Sequence, residues 1–221
     1  MLIYTDKFNE IYKQPEYSKP TEELIDFPLV LDLELKHDRG EFMRPQIFYE
    51  VLNQAREFGT KGLNLGGMGD PMAHRNVINF IRNIRREKLY VSLTTPGHLL
   101  YLAVDSICNS GLNTLNVVVN PQRYRAVKSP LEVIYKKRKF GPFIRILQRD
   151  GENVSGEFDE ISDEFEMPKP DPMASWRKMM IAWDGKVFIE HFVNQNFIGN
   201  VEENLYELWH LEKAQLVRNK E

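Results

Sequence analysis

The sequence of 221 residues has one cysteine, Cys108. A lone thiol excludes an intramolecular disulfide, a zinc knuckle and a thiolate cage for iron and sulfide, each of which needs several such ligands. Cys108 lies in the apolar stretch AVDSICNSG, which points to a packed structural thiol rather than a reactive one. Long hydrophobic runs are also missing, and no stretch approaches the roughly 18 apolar residues of a membrane-spanning helix. The opening MLIYTDKFNEIYKQPEYSKP lacks the apolar centre of a signal peptide, so the expected location is the cytoplasm. There is no large excess of either charge. A formal net charge of −3 gives no global electrostatic case for nucleic acid or an anionic membrane. The 42% apolar and 28% charged residues are ordinary for a soluble globular protein. The length suits one α/β core with a small addition.

What the chain does contain is alternation. After a polar lead-in (residues 1–28), LVLDLEL (29–35) reads as a strand. Arg44-Pro45 opens a helix whose apolar residues Ile47, Phe48, Val51, Leu52, Ala55 and Phe58 recur at helical spacing, and Gly59 closes it. GLNLGG (62–67) is a second strand, and a helix capped by Asp70 with Pro71 at its first position follows. LYVSLTT (89–95) is a third strand, HLLYLAVDSICNSG (98–111) a helix, and LNTLNVVVN (112–120) a fourth strand. A basic helical region near 122–139 leads to PFIRILQ (142–148), the fifth. This order predicts successive right-handed βαβ units and a parallel sheet, in a barrel-like or an open doubly wound arrangement.

Beyond residue 150 the texture changes. Residues 151–166 hold seven acids and no Lys or Arg, whereas 121–149 hold nine Lys/Arg and one acid. Two solvated faces explain this, and so does a basic groove covered by an acidic flap. MPKPDP (167–172) reads as a linker. RKMMIAW-DG-KVFIEHF reads as a hairpin on an Asp184-Gly185 type I′ turn. Phe197–Asn200 turns the chain into a final amphipathic helix carrying Leu205, Leu208, Trp209, Leu211 and Leu216.

The turn Gly66-Gly67-Met68-Gly69-Asp70-Pro71 is the main candidate for ligand contact. A glycine loop after a strand exposes backbone N–H groups at a helix start, and glycine admits close approach. No Lys-Ser/Thr follows, so it is not a P-loop, and it lacks the GxGxxG spacing of a dinucleotide fold. Gly67-Met68-Gly69-Asp70-Pro71-Met72 resembles the loop of radical-SAM enzymes that commonly reads GxGEP. Leu93-Thr94-Thr95-Pro96-Gly97 resembles that family's third-strand end, and Leu115–Asn120 its fourth strand. Trp176, Trp183-Asp184-Gly185-Lys186-Val187 and Ile198-Gly199-Asn200-Val201, with Leu205–Trp209, resemble a SPASM-type C-terminal segment.

The resemblance implies a partial (β/α) TIM-like barrel of about five or six parallel strands, with a small C-terminal β-hairpin plus helix appendage. It implies three parts: the lead-in 1–28, a partial radical-SAM-like barrel over 29–167, and a truncated SPASM-like appendage over 168–221. It further implies a residual S-adenosylmethionine crevice at Gly67, Gly69, Asp70, Thr94 and Asn120.

The departures are chemical. Where the family carries CxxxCxxC for a 4Fe–4S cluster, this chain reads Lys36-His37-Asp38-Arg39-Gly40-Glu41-Phe42. Where SPASM cysteines would follow the DG turn, it reads Val187-Phe188-Ile189-Glu190-His191. His37, Asp38 and Glu41 are poor substitutes for soft thiolates, and read as a surface loop rather than a metal site. His74, His98, His191 and His210 are scattered. No catalytic residue and no resident metal or cofactor are assigned. The leading expectation is a cluster-free pseudoenzyme acting as a binding or regulatory partner. Its companion would be a second copy, a cluster-bearing homologue or a peptide or sugar substrate, with no nucleic acid and no membrane span. The alternative is an enzyme using the crevice for polar chemistry, with or without S-adenosylmethionine.

Overall fold

A computed structural model describes residues 26–119, 124–138, 141–148, 178–189, 196–211 and 214. The lead-in up to residue 25, most of the acidic stretch's surroundings (149–177) and the linker lie outside these residues.

The first five strands are β1 (Val30–Glu34), β2 (Gly62–Gly66), β3 (Tyr90–Thr95), β4 (Thr114–Val119) and β5 (Phe143–Gln148). They alternate with helices α1 (Pro45–Glu57), α2 (Val77–Arg86), α3 (Val104–Cys108) and α4 (Tyr124–Lys137). The C-terminal part adds β6 (Met179–Ile181), β7 (Lys186–Ile189), β8 (Phe197–Asn200) and α5 (Leu205–His210). All eight strands form one sheet in the order β5-β4-β3-β2-β1-β6-β7-β8. Strands β1–β5 are mutually parallel, β6 joins β1 in parallel, and β7 and β8 run antiparallel. The fold is therefore mixed α/β with a mostly parallel sheet, a partial barrel that does not close.

Local chemistry explains the elements. Leu31, Leu33 and Leu35 are buried and point to one side of β1. Leu63, Leu65, Val91, Leu93, Leu115, Val117 and Ile144 continue that side across the sheet. They pack in one core with Phe48, Val51, Ile81, Ile84, Leu131 and Ile134 of the helices. Phe48 and Phe80 stack at 3.8 Å between ring centroids, locking α1 to α2. Pro45 stands at the start of α1 and Gly59, at φ +80°, just past its end, as the spacing predicts.

Five local readings are corrected. Asp70 caps a short 3₁₀ turn (Pro71–Ala73), and α2 starts only at Val77, because His74–Asn76 leave the helical path. The predicted helix over 98–111 is a 3₁₀ turn (Leu100–Leu102) followed by the short α3; Ala103, at φ −135°, breaks the register, and Tyr101 and Leu102 are exposed. The 182–185 turn is not type I′. Its Asp184-Gly185 pair has a positive φ only at Gly185, and Gly185 N–H donates to Ala182 O at 2.9 Å. This is a three-residue loop with glycine in the left-handed position. Phe197–Asn200, read as a bend, is strand β8 on β7. Leu211, assigned to the apolar side of the last helix, is 40% exposed.

Gln54 of α1 holds the C-terminal segment from beneath. Its amide donates to Val201 O at 2.9 Å and accepts from the Leu205 N–H at 2.7 Å. Trp209 is fully buried in the same core as the sheet leucines. Gln54→Leu leaves a buried carbonyl and a buried N–H unpaired, a loss of about 1–3 kcal/mol. Denaturant unfolding followed by tryptophan fluorescence and by far-UV circular dichroism is expected to show one shared, shifted transition. Two separate transitions would mean that the C-terminal segment folds apart from the sheet.

Candidate functional site

Parallel βα units leave their ligand crevice at the carboxyl ends of the strands. Here that edge is made by the loops after β1, β2 and β3. The loop after β1 folds back on itself. His37 N–H donates to Glu41 O at 2.9 Å, Met43 N–H to Leu35 O at 2.9 Å, and Lys36 bridges to Phe42. His37 Nδ1 lies 2.7 Å from Asp38 Oδ1 and 3.6 Å from Glu41 Oε2. Among the described residues no group of three His, Cys, Asp or Glu side chains suits a metal ion.

The glycine loop packs directly on this hairpin-like turn. Gly69 N–H donates to Lys36 O at 3.0 Å, and a Cβ on Gly69 would lie 2.7 Å from that oxygen and 2.8 Å from His37 O. Gly67 sits at φ +112°, and a Cβ there would lie 2.5 Å from Glu34 Cγ. Glu34, the last residue of β1, is 2% exposed and its Oε1 accepts from the Met68 N–H at 3.3 Å. Burial pushes the Glu34 carboxyl up, opposed by the backbone N–H groups of Met68 and Trp183. The two glycines assigned to a ligand are thus required by the chain's own β1 end.

Asp70 turns to the helix side. Its Oδ1 accepts from the Met72 N–H at 3.0 Å and from the Thr95 hydroxyl at 2.8 Å. Thr95 Oγ1 accepts in turn from the Gly97 N–H at 3.0 Å. Asp70 Oδ2 is buried without a hydrogen-bond partner among the described residues, and His98 Nε2 stands 3.5 Å from it. His98 and Asp70 lie on different loops, so no local pattern joins them. Thr94, alternating with Thr95, faces the other way and does not meet Asp70. Asn120, the fifth predicted crevice residue, lies outside the described residues.

Thr94 belongs instead to a polar row that sequence reading missed. Along the sheet face opposite the helices, Asn64 Nδ2 donates to Asp32 Oδ1 at 2.8 Å and the Ser92 hydroxyl to Asn64 Oδ1 at 2.5 Å. Asn116 Nδ2 donates to Thr94 Oγ1 at 3.2 Å. Burial raises the Asp32 carboxyl, opposed by the Asn64 bond and the Lys178 charge. Asp32 in VLDLE and Asn64 in GLNLG each stand at the centre of a mainly apolar strand, but nothing within either segment brings them together.

The remaining candidates are structural. His74 Nε2 is 2.8 Å from Met43 O while its Nδ1 accepts from the Asn76 N–H at 3.1 Å, so the neutral ring serves both bonds. Burial lowers its pKa. Cys108 lies on α3, its Sγ 3.9 Å from Ile134 O of α4, and burial raises its pKa.

No family model matches the chain. A protein of Methanococcus vannielii named as a probable GTP 3',8-cyclase is 29% identical over 94 residues, 41% of this chain and 31% of that protein. The match therefore spans about a third of the curated relative's length. Among solved structures, BtrN in complex with AdoMet and 2-DOIA superposes with a TM-score of 0.65 at 15% identity, over 90% of this chain and 87% of that one. SuiB of Streptococcus suis bound to the precursor peptide SuiA gives a TM-score of 0.53 at 12% identity, over 88% of this chain and 67% of that one.

Two expectations follow from this geometry. In double-mutant cycles, Gly67→Ala couples to Glu34→Gly by about 1 kcal/mol or more, because the nearest atoms a new Cβ would meet are Glu34 Cγ and Cβ. Gly69→Ala does not couple to it, because its clash is with backbone carbonyls; equal coupling at both glycines would refute the packing. Protonating His74 breaks its bond from Asn76, so the unfolded state binds the proton first and stability falls as pH drops below about 6.5. Asp32 and Glu34 act in the opposite sense at lower pH, since their folded values are raised and acid favours the native form. Thermal melts across this range should therefore show the slope near pH 6 diminished in His74→Leu, at about the imidazole's ordinary titration.

Proposed function

This chain is related in sequence to radical-SAM enzymes and carries their fold, and on that footing we propose that it works without an iron–sulfur cluster, as a binding or regulatory partner. One observation carries the reading. The only thiol in the sequence is Cys108, and it sits between α3 and α4 rather than at the crevice. A low-potential cluster needs several thiolates around it. The loop after β1 offers an imidazole and carboxylates that are hard or borderline ligands, and they already engage one another. The residues present do not fit the cluster.

The fit to S-adenosylmethionine at the glycine loop is also poor. The Met68 and Gly69 N–H groups, which such a loop would offer a ligand, bond to Glu34 and Lys36 of the same chain. The space above both glycines is filled by β1 and its loop. A partner role agrees with a scaffold retained while the redox ligands are gone. The peptide bound by SuiB and the small molecules bound by BtrN give the classes of companion worth testing first.

A second reading, cluster-independent polar chemistry at the crevice, is favoured by the Asp70–His98 pair. A buried carboxylate behind a 42%-exposed imidazole is an arrangement that orients a proton acceptor.

Anaerobic reconstitution with ferrous iron and sulfide is expected to leave no chromophore after desalting; a stable cluster would overturn the proposal. Calorimetry with S-adenosylmethionine separates the two readings. The partner reading expects no saturable heat, whereas saturable heat abolished by Asp70→Ala would favour the enzyme. A strictly monomeric sedimentation profile together with no retained companion in a pull-down would count against the partner role.

A further inference from the structure

Resting on the second reading above, we propose that the Asp70–His98 pair is a hydrolytic site for small carboxylic esters with an apolar acyl chain. The pair lies on the helix side of the carboxyl edge, apart from the polar row of the opposite sheet face. A buried carboxylate oxygen without a donor is unfavourable. Asp70 is 9% exposed, and its Oδ1 is used twice, by the Met72 N–H at 3.0 Å and by the Thr95 hydroxyl at 2.8 Å. Oδ2 is buried with no hydrogen-bond partner among the described residues, and His98 Nε2 stands before it at 3.5 Å. An imidazole turned this way carries its proton on Nε2 and keeps the Nδ1 lone pair for a proton from outside. Once that proton arrives, imidazolium and carboxylate close on each other as a charge-assisted pair. Oδ2 is therefore fully satisfied only when His98 has acted as a base.

The pair is held in place from behind. Thr95 Oγ1 accepts from the Gly97 N–H at 3.0 Å while donating to Asp70, so one hydroxyl fixes both the carboxylate and the turn that carries His98. Gly97 is at φ +85°, and a Cβ there would lie 2.8 Å from Val117 Cγ1 and 2.9 Å from Val127 Cγ1. The same turn is thus pinned on β4 and α4. Placement of this kind supplies orientation before a substrate arrives.

The surroundings set the class of substrate. Exposed apolar side chains flank the pair on both loops. Met68, 62% exposed, precedes Asp70 by two residues, and Tyr101 and Leu102, 62% and 69% exposed, follow closely after His98. The break at Ala103 leaves the last two outside the core. Such groups beside a polar pair suit an apolar chain. A carboxylate at the centre repels an anionic phosphate ester but not a neutral carbonyl. The chain's one thiol lies between α3 and α4, and the Thr95 hydroxyl is committed to Asp70, which leaves water as the nucleophile. His98 Nδ1 takes a proton from water as the water oxygen bonds to the carbonyl carbon. The tetrahedral intermediate then breaks its bond to the alkoxide, which takes the proton back from the imidazolium. Acid and alcohol leave, and nothing beyond water is consumed.

Hydrolysis of p-nitrophenyl butyrate by the whole chain, followed as released nitrophenolate, tests the site. His98→Gln is expected to lower kcat/KM by about 10²-fold, the ordinary contribution of a positioned base. The ring is 42% exposed, so this variant keeps the fold. Asp70 is a positioning residue, and Asp70→Asn is expected to lower kcat about tenfold or more with KM unchanged. Leu102→Ala acts on the other parameter, raising KM about threefold or more for the butyrate and less for the acetate. Release no faster from the unaltered chain than from His98→Gln overturns the proposal, as does an Asp70→Asn effect confined to KM. Labelling with diethyl pyrocarbonate, read by mass spectrometry, keeps this failure apart from that of the reading beneath it. Preferential modification of His98 over His210 without ester turnover refutes the ester site and leaves an exposed base beside Asp70. Neither preference nor turnover removes both.

Discussion

The arrangement depends on β1 and on the carboxylate at its end. β1 is paired on both sides by parallel strands, β2 from the next unit and β6 from the C-terminal segment. Its side chains on the helix side are among the most deeply buried in the molecule. Glu34 then takes the Met68 N–H of the glycine loop, and a Trp183 N–H of the C-terminal turn also stabilises its ionised form. One side chain therefore fixes two loops that are more than a hundred residues apart in sequence. A carboxylate so placed is tolerable only while its donors stay in position, because an unpaired buried charge is expensive.

That constraint shapes what the crevice can do. In a βα fold the glycine turn after the second strand is free to present its N–H groups outward. Here β1 and its tight loop lean against the turn and use them. Much of the crevice edge is consequently built of protein bonded to protein, and the buried oxygens left without a hydrogen-bond partner among the described residues are Glu41 Oε2 and Asp70 Oδ2 on its loops and Asn116 Oδ1 on the sheet's other face.

The strands were legible in the sequence because a buried parallel strand concentrates apolar and β-branched residues between glycines and prolines, as GLNLG and TLNVVV do. The start and end of α1 were legible through Pro45 and Gly59. The helix over 98–111 was misread because its apolar spacing fits a helix equally well when a 3₁₀ turn interrupts it, and spacing does not report the φ of Ala103. The polar row was missed for a different reason. Asp32, Asn64, Ser92 and Asn116 become neighbours only through strand order and register, which no local pattern encodes. Gln54 is the same kind of case, a helix residue whose partners Val201 and Leu205 come from the far end of the chain. Gly67 and Gly69 were read as places where a ligand comes close to the backbone; within the chain the atoms that come close to them are those of Glu34, Lys36 and His37.

Cys108 has a consequence for how such a chain can live. A thiol held between two helices, with burial disfavouring its thiolate, reacts slowly with peroxide and disulfides. The other sulfur atoms are the thioethers of eight methionines, among them the exposed Met68 beside the glycine loop, so peroxide is expected to reach this chain as methionine sulfoxide at that loop before it reaches the thiol.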